Sequence, residues 1–292
     1  MFGVVPRVLW EVVKPADELN RIRMGTNCLL VRRGDDLLLI DTGLGDKHDQ
    51  RFRQMFGMQP DAVRLPQAIA RAGYELGDVT HVVLSHLHFD HSGWNARPAG
   101  ADPARLVPTF PRARYWLARG EVEHARHPNE RDRATYDPRN WEPLFEAGVV
   151  ELFDDRATPI PGVEAVRVPG HNADMCIVLL DGRPGAGGAD DPRDVRGSGE
   201  SGGAASAREE RAVFWADLVP TTAHVALPWI MSFDLYPVQT LEAKKKWLPR
   251  AAAEGWLAIF EHDHERPLGR LVEERPGKFR VEPLAPPVAA AP

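Results

Sequence analysis

Directly after the apolar run His81-Val82-Val83-Leu84 stands Ser85-His86-Leu87-His88-Phe89-Asp90-His91, and nothing else in the chain constrains the fold as tightly. On a helix, His86 and His88 would point to different sides. On a strand, His86, His88 and Asp90 would share one face and His91 would oppose them. An irregular loop leaving the strand lets all four side chains converge on one point. Neutral imidazoles and a carboxylate suit Zn²⁺ or a similar divalent ion.

One loop offers too few ligands for a pair of metals, so the rest must come from later in the chain. Three residues stand at the ends of expected strands: His171 after Val163–Val168, Asp217 after Phe214-Trp215-Ala216, and His262 after Leu257–Phe260. Polar residues collected at strand ends fit the rule that sites in layered α/β proteins gather at one sheet edge. His264 competes with His262, which is nearer its strand. Asp41, in the turn Asp41-Thr42-Gly43, reads equally as a turn residue or as a support for a ligand.

The rest of the sequence reads as short strands with helices between groups of them, an α/β layered pattern. Cys28–Val31 and Leu37–Ile40 flank a polar turn, and further strands are expected at Val149–Phe153, Cys176–Leu180, Ala212–Trp215 and Trp256–Phe260. Helices are expected at Gln67–Gly73, Tyr115–His124 and Leu241–Ala253. The basic run Lys244-Lys245-Lys246 reads as the solvated face of the last one. Gly182 to Glu210 is rich in Gly and Ser with little to bury, so a flexible insertion within a strand–strand connection is expected. The Pro/Ala-rich stretch Ala285 to Pro292 reads as a frayed tail.

Composition removes several classes of protein. A hydrophobic fraction of 43% supports a full core, and a net charge of −6 argues against coating nucleic acid. No apolar run approaches the ~20 residues of a membrane span, and Pro6 and Arg7 interrupt any signal-peptide core. Cys28 and Cys176, both in apolar runs, are expected to be a reduced pair in a cytoplasmic protein. No nucleic-acid or membrane partner is expected, and oligomerisation is left open.

His86-x-His88-x-Asp90-His91, with later His171, Asp217 and His262, resembles the signature of the metallo-β-lactamase-fold hydrolases. The resemblance implies a four-layer αββα sandwich spanning 1–292 as one domain. It also implies that His86, His88 and His171 hold one metal, that Asp90, His91 and His262 hold a second, and that Asp217 bridges them. A closer likeness is to the YtnP-type probable quorum-quenching lactonases. It is carried by Met1–Pro6, Leu9-Trp10, Ser85–His91, Asn140-Trp141-Glu142, Ala216–Thr221, Ala223-His224 and Asp234–Pro237. Those proteins begin with one more strand ahead of the Met1–Pro6 segment, so an unpaired sheet edge is expected here.

Two divalent ions, most simply Zn²⁺, would lower the pKa of a shared water towards ~7 and polarise a carbonyl. Asp90 would carry the proton to the leaving group. The implied reaction is opening of the lactone ring of N-acyl homoserine lactones. The same centre would serve aryl esters, phosphotriesters or thioesters, and fold alone does not choose among them. Diiron oxygen reduction is disfavoured by His88, where such proteins carry a glutamate, and a non-catalytic metal binder by the full ligand set. Trp94, His224, Trp229, Phe233 and Tyr236 are candidates for the pocket wall, with Phe52, Met55, Phe56, Met58 and Met231 as further apolar residues. Some lactonases of this fold place a tyrosine three residues after the bridging aspartate, where this chain has Pro220.

Overall fold

Alternation within one short strand shows how the layers form. In Asp36–Ile40, Leu38 and Ile40 enter one hydrophobic core while Leu37 and Leu39 enter another, so the strand is buried on both faces. A computed structural model describes residues 1–59, 62–100, 102–182 and 210–284 of the chain. The expected insertion at Gly182 to Glu210 falls almost wholly outside the described residues, as does the expected tail at Ala285 to Pro292.

The strands are β1 (Leu29–Arg33), β2 (Asp36–Ile40), β3 (His81–Val83), β4 (Ala96–Ala99), β5 (Asp102–Pro108), β6 (Arg114–Ala118), β7 (Val150–Phe153), β8 (Arg156–Ile160), β9 (Val163–Arg167), β10 (Cys176–Asp181), β11 (Arg211–Phe214), β12 (Leu257–Ile259), β13 (Leu268–Arg275) and β14 (Lys278–Pro283). The helices are α1 (Arg7–Trp10), α2 (Gln50–Phe56), α3 (Leu65–Arg71), α4 (Phe89–Ser92), α5 (Arg119–Arg126), α6 (Glu142–Glu146) and α7 (Pro237–Glu254).

Two sheets face each other. One has the order β1-β2-β3-β6-β7 and the other β14-β13-β12-β11-β10-β9-β8, with β4-β5 a separate hairpin. One continuous core takes Leu38, Ile40 and Val83 from the first sheet and Val178, Val213 and Phe214 from the second, and it extends to Trp247 and Leu248 of α7. The other core covers the outer face of the first sheet, where Tyr115 and Leu117 meet Ile69 of α3, Val122 of α5 and Leu144 of α6. Helices therefore flank a pair of sheets, the αββα order. β1 and β7 are the edge strands of the first sheet.

Strand direction positions the site. β2, β3 and β6 run parallel, so Asp41 and the Ser85–His91 segment leave the same sheet edge. β11 and β12 are parallel, and β9 is related to β11 through the antiparallel β10, so all three point the same way. His171, Asp217 and His262 follow these three ends.

Two expectations are corrected. Tyr115–His124 is not one helix: Arg114–Ala118 is β6, buried between neighbours, and α5 starts at Arg119. Tertiary packing of Tyr115 and Leu117 overrides a local pattern that continues into a real helix. Lys244 is not on a solvated face, because its side chain is buried and its Nζ donates to the carbonyls of Ala226, Leu227 and Trp229. β13 and β14 are charge-rich strands at one end of the second sheet. Their alternation is masked by edge charges such as Lys278, Arg280 and Glu282. Cys28 and Cys176 are both free thiols, and no helix among the described residues is long and apolar enough to cross a membrane.

Candidate metal centre

The Ser85–His91 segment leaves β3 as irregular backbone and closes into the single turn α4, which begins after His88. Its descent is possible because Gly93 packs against the Leu44–Gly45 backbone: a Cβ at Gly93 would lie 2.1 Å from the Leu44 carbonyl carbon. Strained backbone flanks the site in two further places. Asp41 and Ala216, neither of them glycine, adopt φ of 54° and 45°. Ala216 directly precedes Asp217. Gly170, with φ of 152°, precedes His171, and a Cβ there would meet Thr240 Oγ1 at 2.5 Å.

All seven expected residues come together. His86, His88, His171 and Asp217 form one group, and Asp90, His91 and His262 a second, each with one ligand atom per residue within 4.8 Å of the others. Asp217 faces both. Its Oδ2 is 3.2 Å from His171 Nε2, 3.6 Å from His91 Nε2 and 3.9 Å from His86 Nε2, and its Oδ1 is 3.0 Å from His262 Nε2. Asp90 Oδ2 is 3.8 Å from His262 Nε2.

Four of the five imidazoles have Nδ1 anchored and Nε2 turned towards Asp217. His86 Nδ1 is 3.0 Å from Ser85 Oγ, His171 Nδ1 is 3.0 Å from Asp234 Oδ1, and His262 Nδ1 is 2.8 Å from the Gly25 carbonyl. His91 Nδ1 lies between two carboxylates, 3.0 Å from Asp41 Oδ2 and 2.9 Å from Glu261 Oε2. Fixing the outer nitrogen in this way sets the tautomer and aims the inner one. Asp41 also accepts from the Ser85 amide at 2.7 Å and the Ser85 hydroxyl at 2.6 Å, so it holds the Ser85–His91 segment as well as ending β2 in a turn.

Buried polar atoms without partners test whether the residues fit a cation. His86 Nε2 and His88 Nε2 are buried with no hydrogen bond. Such atoms are costly unless something occupies the space they face. Burial, reinforced by neighbouring imidazoles, holds both His86 and His88 well below the usual histidine range, so their lone pairs are free. Burial also opposes charge on His262 and His171, but Asp217, together with Glu261 beside His262 and Asp234 beside His171, outweighs it, raising His262 to about 9 and His171 above its ordinary value. Burial likewise opposes charge on His91, and Glu261, Asp90 and Asp217 raise it well above the ordinary value. Asp217 is held well below its own ordinary value by His171, His262 and His91 against the cost of burial. His91, His171 and His262, which face Asp217, thus favour their charged form, and a metal bound there would compete with those protons. The donor set fits divalent ions.

Around this centre the pocket candidates separate. Trp94 is buried. His224 is buried with Nδ1 2.8 Å from Thr221 Oγ1, Nε2 3.2 Å from the Met1 carbonyl, and its ring stacked on Phe2. Trp229 contacts Phe2 edge-on at 5.6 Å. Phe233 and Tyr236 are exposed, at 56% and 41%. Met231 is buried and Met58 half-buried, while Met55 is exposed. On α2, Phe52 and Phe56 lie 5.0 and 5.2 Å from the ring of Phe89, which stands between His88 and Asp90. Sequence reasoning missed Asp234, Glu261 and Glu121, each a buried or nearly buried acid serving the ligand loops. The signals were slight: Glu261 stands beside His262, and Asp234 opens one of the segments that carry the lactonase likeness.

The αββα order and the polar cluster at the facing strand ends define a metal-centre class of layered α/β protein. Residues 21–262 match the family model of the metallo-beta-lactamase superfamily, and the chain belongs to that superfamily. It is 28% identical over 212 residues to the probable metallo-hydrolase Rv2300c of Mycobacterium tuberculosis, a match covering 62% of each chain. The chain therefore spans less than two thirds of that relative's length. It is 26% identical over 154 residues to the N-acyl homoserine lactonase AiiA of Bacillus thuringiensis subsp. kurstaki, covering 50% of this chain and 54% of that one. Among solved structures, a probable metal-dependent hydrolase from Staphylococcus aureus superposes with a TM-score of 0.78 at 24% identity, over 97% of this chain and 91% of the other. AidC, a dizinc quorum-quenching lactonase, gives 0.64 at 21% identity, over 90% and 80%. At these identities the superpositions speak for the fold.

Proposed function

We propose that this protein is a dinuclear metal-dependent hydrolase that opens the lactone ring of N-acyl homoserine lactones. The observation that carries the metal reading is Asp217, whose two oxygens face His171 and His262 from opposite groups. In this reading His86, His88 and His171 hold one ion, Asp90, His91 and His262 hold the other, and Asp217 is shared. Two bound divalent ions, Zn²⁺ by the nitrogen-rich donor set, would supply an acidified water and a polarised carbonyl.

The chain's residues do the rest. Asp234, Asp41 and Glu261 keep His171 and His91 oriented. Asp90, whose side chain is 28% exposed, is the acid nearest to solvent in the ligand set and returns the proton to the leaving alkoxide. Phe52, Phe56 and Phe89 offer an apolar wall for an acyl chain, and Phe233 and Tyr236 expose apolar rings on another loop. Support for the lactone comes from curated relatives named as N-acyl homoserine lactonases.

A substrate panel tests this reading. An acyl homoserine lactone should be turned over with higher kcat/KM than an aryl ester, a thioester or a phosphotriester. Turnover of the ester or phosphotriester with no lactone opening would reject the lactone and retain the hydrolase.

A further inference from the structure

Glu121 lies on the first turn of α5, outside every group assigned above, and is 1% exposed. One of its oxygens, Oε1, accepts from the Leu87 amide at 2.8 Å and from the Tyr136 hydroxyl at 3.2 Å. The other, Oε2, accepts from Asn172 Nδ2 at 2.7 Å. Leu87 separates His86 from His88, and Asn172 follows His171. A single carboxylate therefore bonds to the two loops that bring three imidazoles from opposite sheets.

Its partners are themselves fixed. Asn172 Oδ1 accepts from the amides of Asp174 and Met175 at 3.0 and 2.6 Å, so the Asn172 side chain has one orientation and its Nδ2 must donate to Glu121. The Tyr136 ring packs edge-on against the His88 ring at 4.8 Å, and the backbones of His88 and Tyr136 form a bridge. Beside it, Gly120 lets α5 approach the second loop, since a Cβ there would meet Asp174 Cγ at 2.4 Å. His88 is the one imidazole of the five whose Nδ1 faces another imidazole, that of His171 at 3.1 Å, in place of an anchor. The Glu121 hub supplies the missing constraint through Tyr136 and Leu87.

We propose that Glu121 is a positioning residue that clamps the His86–His88 loop to the His171 loop and so sets the spacing of the three imidazoles. This rests on the reading of those histidines as metal ligands. Burial pushes the Glu121 carboxyl up to about 7, against the Leu87 amide, which favours its charged form. An acid held there against burial fits a structural demand for two acceptors at that point.

The test compares Glu121→Gln and Glu121→Ala with the parent by amide hydrogen exchange on the metal-free chain and by Zn²⁺ titration. In Glu121→Gln one oxygen still accepts from Leu87, but its amide nitrogen meets the Asn172 donor. Exchange should speed up at Asp174 and Met175 while Leu87 stays protected. In Glu121→Ala both segments should loosen together, and Zn²⁺ affinity should fall by about 10–100-fold. Unchanged exchange at both segments, or acceleration spread evenly over the chain, would overturn the clamp. The Gln variant keeps the side-chain volume and decides the matter should the Ala variant not fold. A parent that binds no Zn²⁺ would reject the metal reading, and the exchange pattern would still decide the coupling.

Discussion

The two groups at the centre differ in their access to water. His86, His88, His171 and Asp217 are all buried, whereas the second group keeps His91 and His262 buried but leaves Asp90 partly exposed. They also differ in support. His171 is held by Asp234, which in turn accepts from Thr240 Oγ1 at 2.6 Å, while His91 is held between Asp41 and Glu261. The closed group is built for fixed geometry. The open one leaves Asp90 in reach of solvent, with Phe89 next to it in sequence and packed against Phe52 and Phe56 of α2. What this contrast teaches is that similar donors can take unlike roles when one carboxylate is left in reach of solvent.

Asp217→Ala should break the comparison altogether, because it removes the group both halves share. Hydrolysis should fall to background, and metal analysis should find less than one equivalent retained after dialysis. Asp90→Asn should separate the halves: kcat should drop by about 10²–10⁴-fold, as loss of a proton carrier does, while the closed group retains its ion. Equal loss of both ions would show that the groups are not distinct.

Asp234→Asn acts on the closed group alone and should weaken its affinity by about 10–100-fold, read by competition with a chelator. The smallest effect concerns Lys244, which supports the loop ahead of Asp234. Burial lowers its pKa from 10.5 to about 7. Below pH 7 both folded and unfolded chains carry the proton, and the folded state bears the full cost of the buried charge. Between about 7 and 10.5 the unfolded chain binds more protons, so stability should rise with pH across that window. Lys244→Met should flatten this slope in urea unfolding followed from pH 7 to pH 9.

The same contrast explains what was legible in the sequence. The candidate donors on one contiguous segment, His86 to His91, announce themselves, because no regular element accommodates them. His171, Asp217 and His262 were readable because each follows an apolar strand, and parallel strand direction brings such ends together. Apart from Asp41, the supports were not readable. Glu121 looks like any acid on an amphipathic helix, and Asp234 reaches His171 across 63 residues. Lys244 sits in a run of three lysines that local pattern assigns to solvent, yet α7 turns the first of them inwards. β6 was hidden because its apolar residues run straight into α5. Long-range packing decides these cases, and one chain's local pattern does not contain it.

Anomalous diffraction at the zinc edge, from crystals of the zinc-loaded protein, is the most direct measurement of whether two ions share Asp217. Two peaks are expected, one among His86, His88 and His171 and one among Asp90, His91 and His262, both adjacent to the Asp217 carboxylate. A single peak, or density instead between Asp41, His91 and Glu261, would contradict the paired centre.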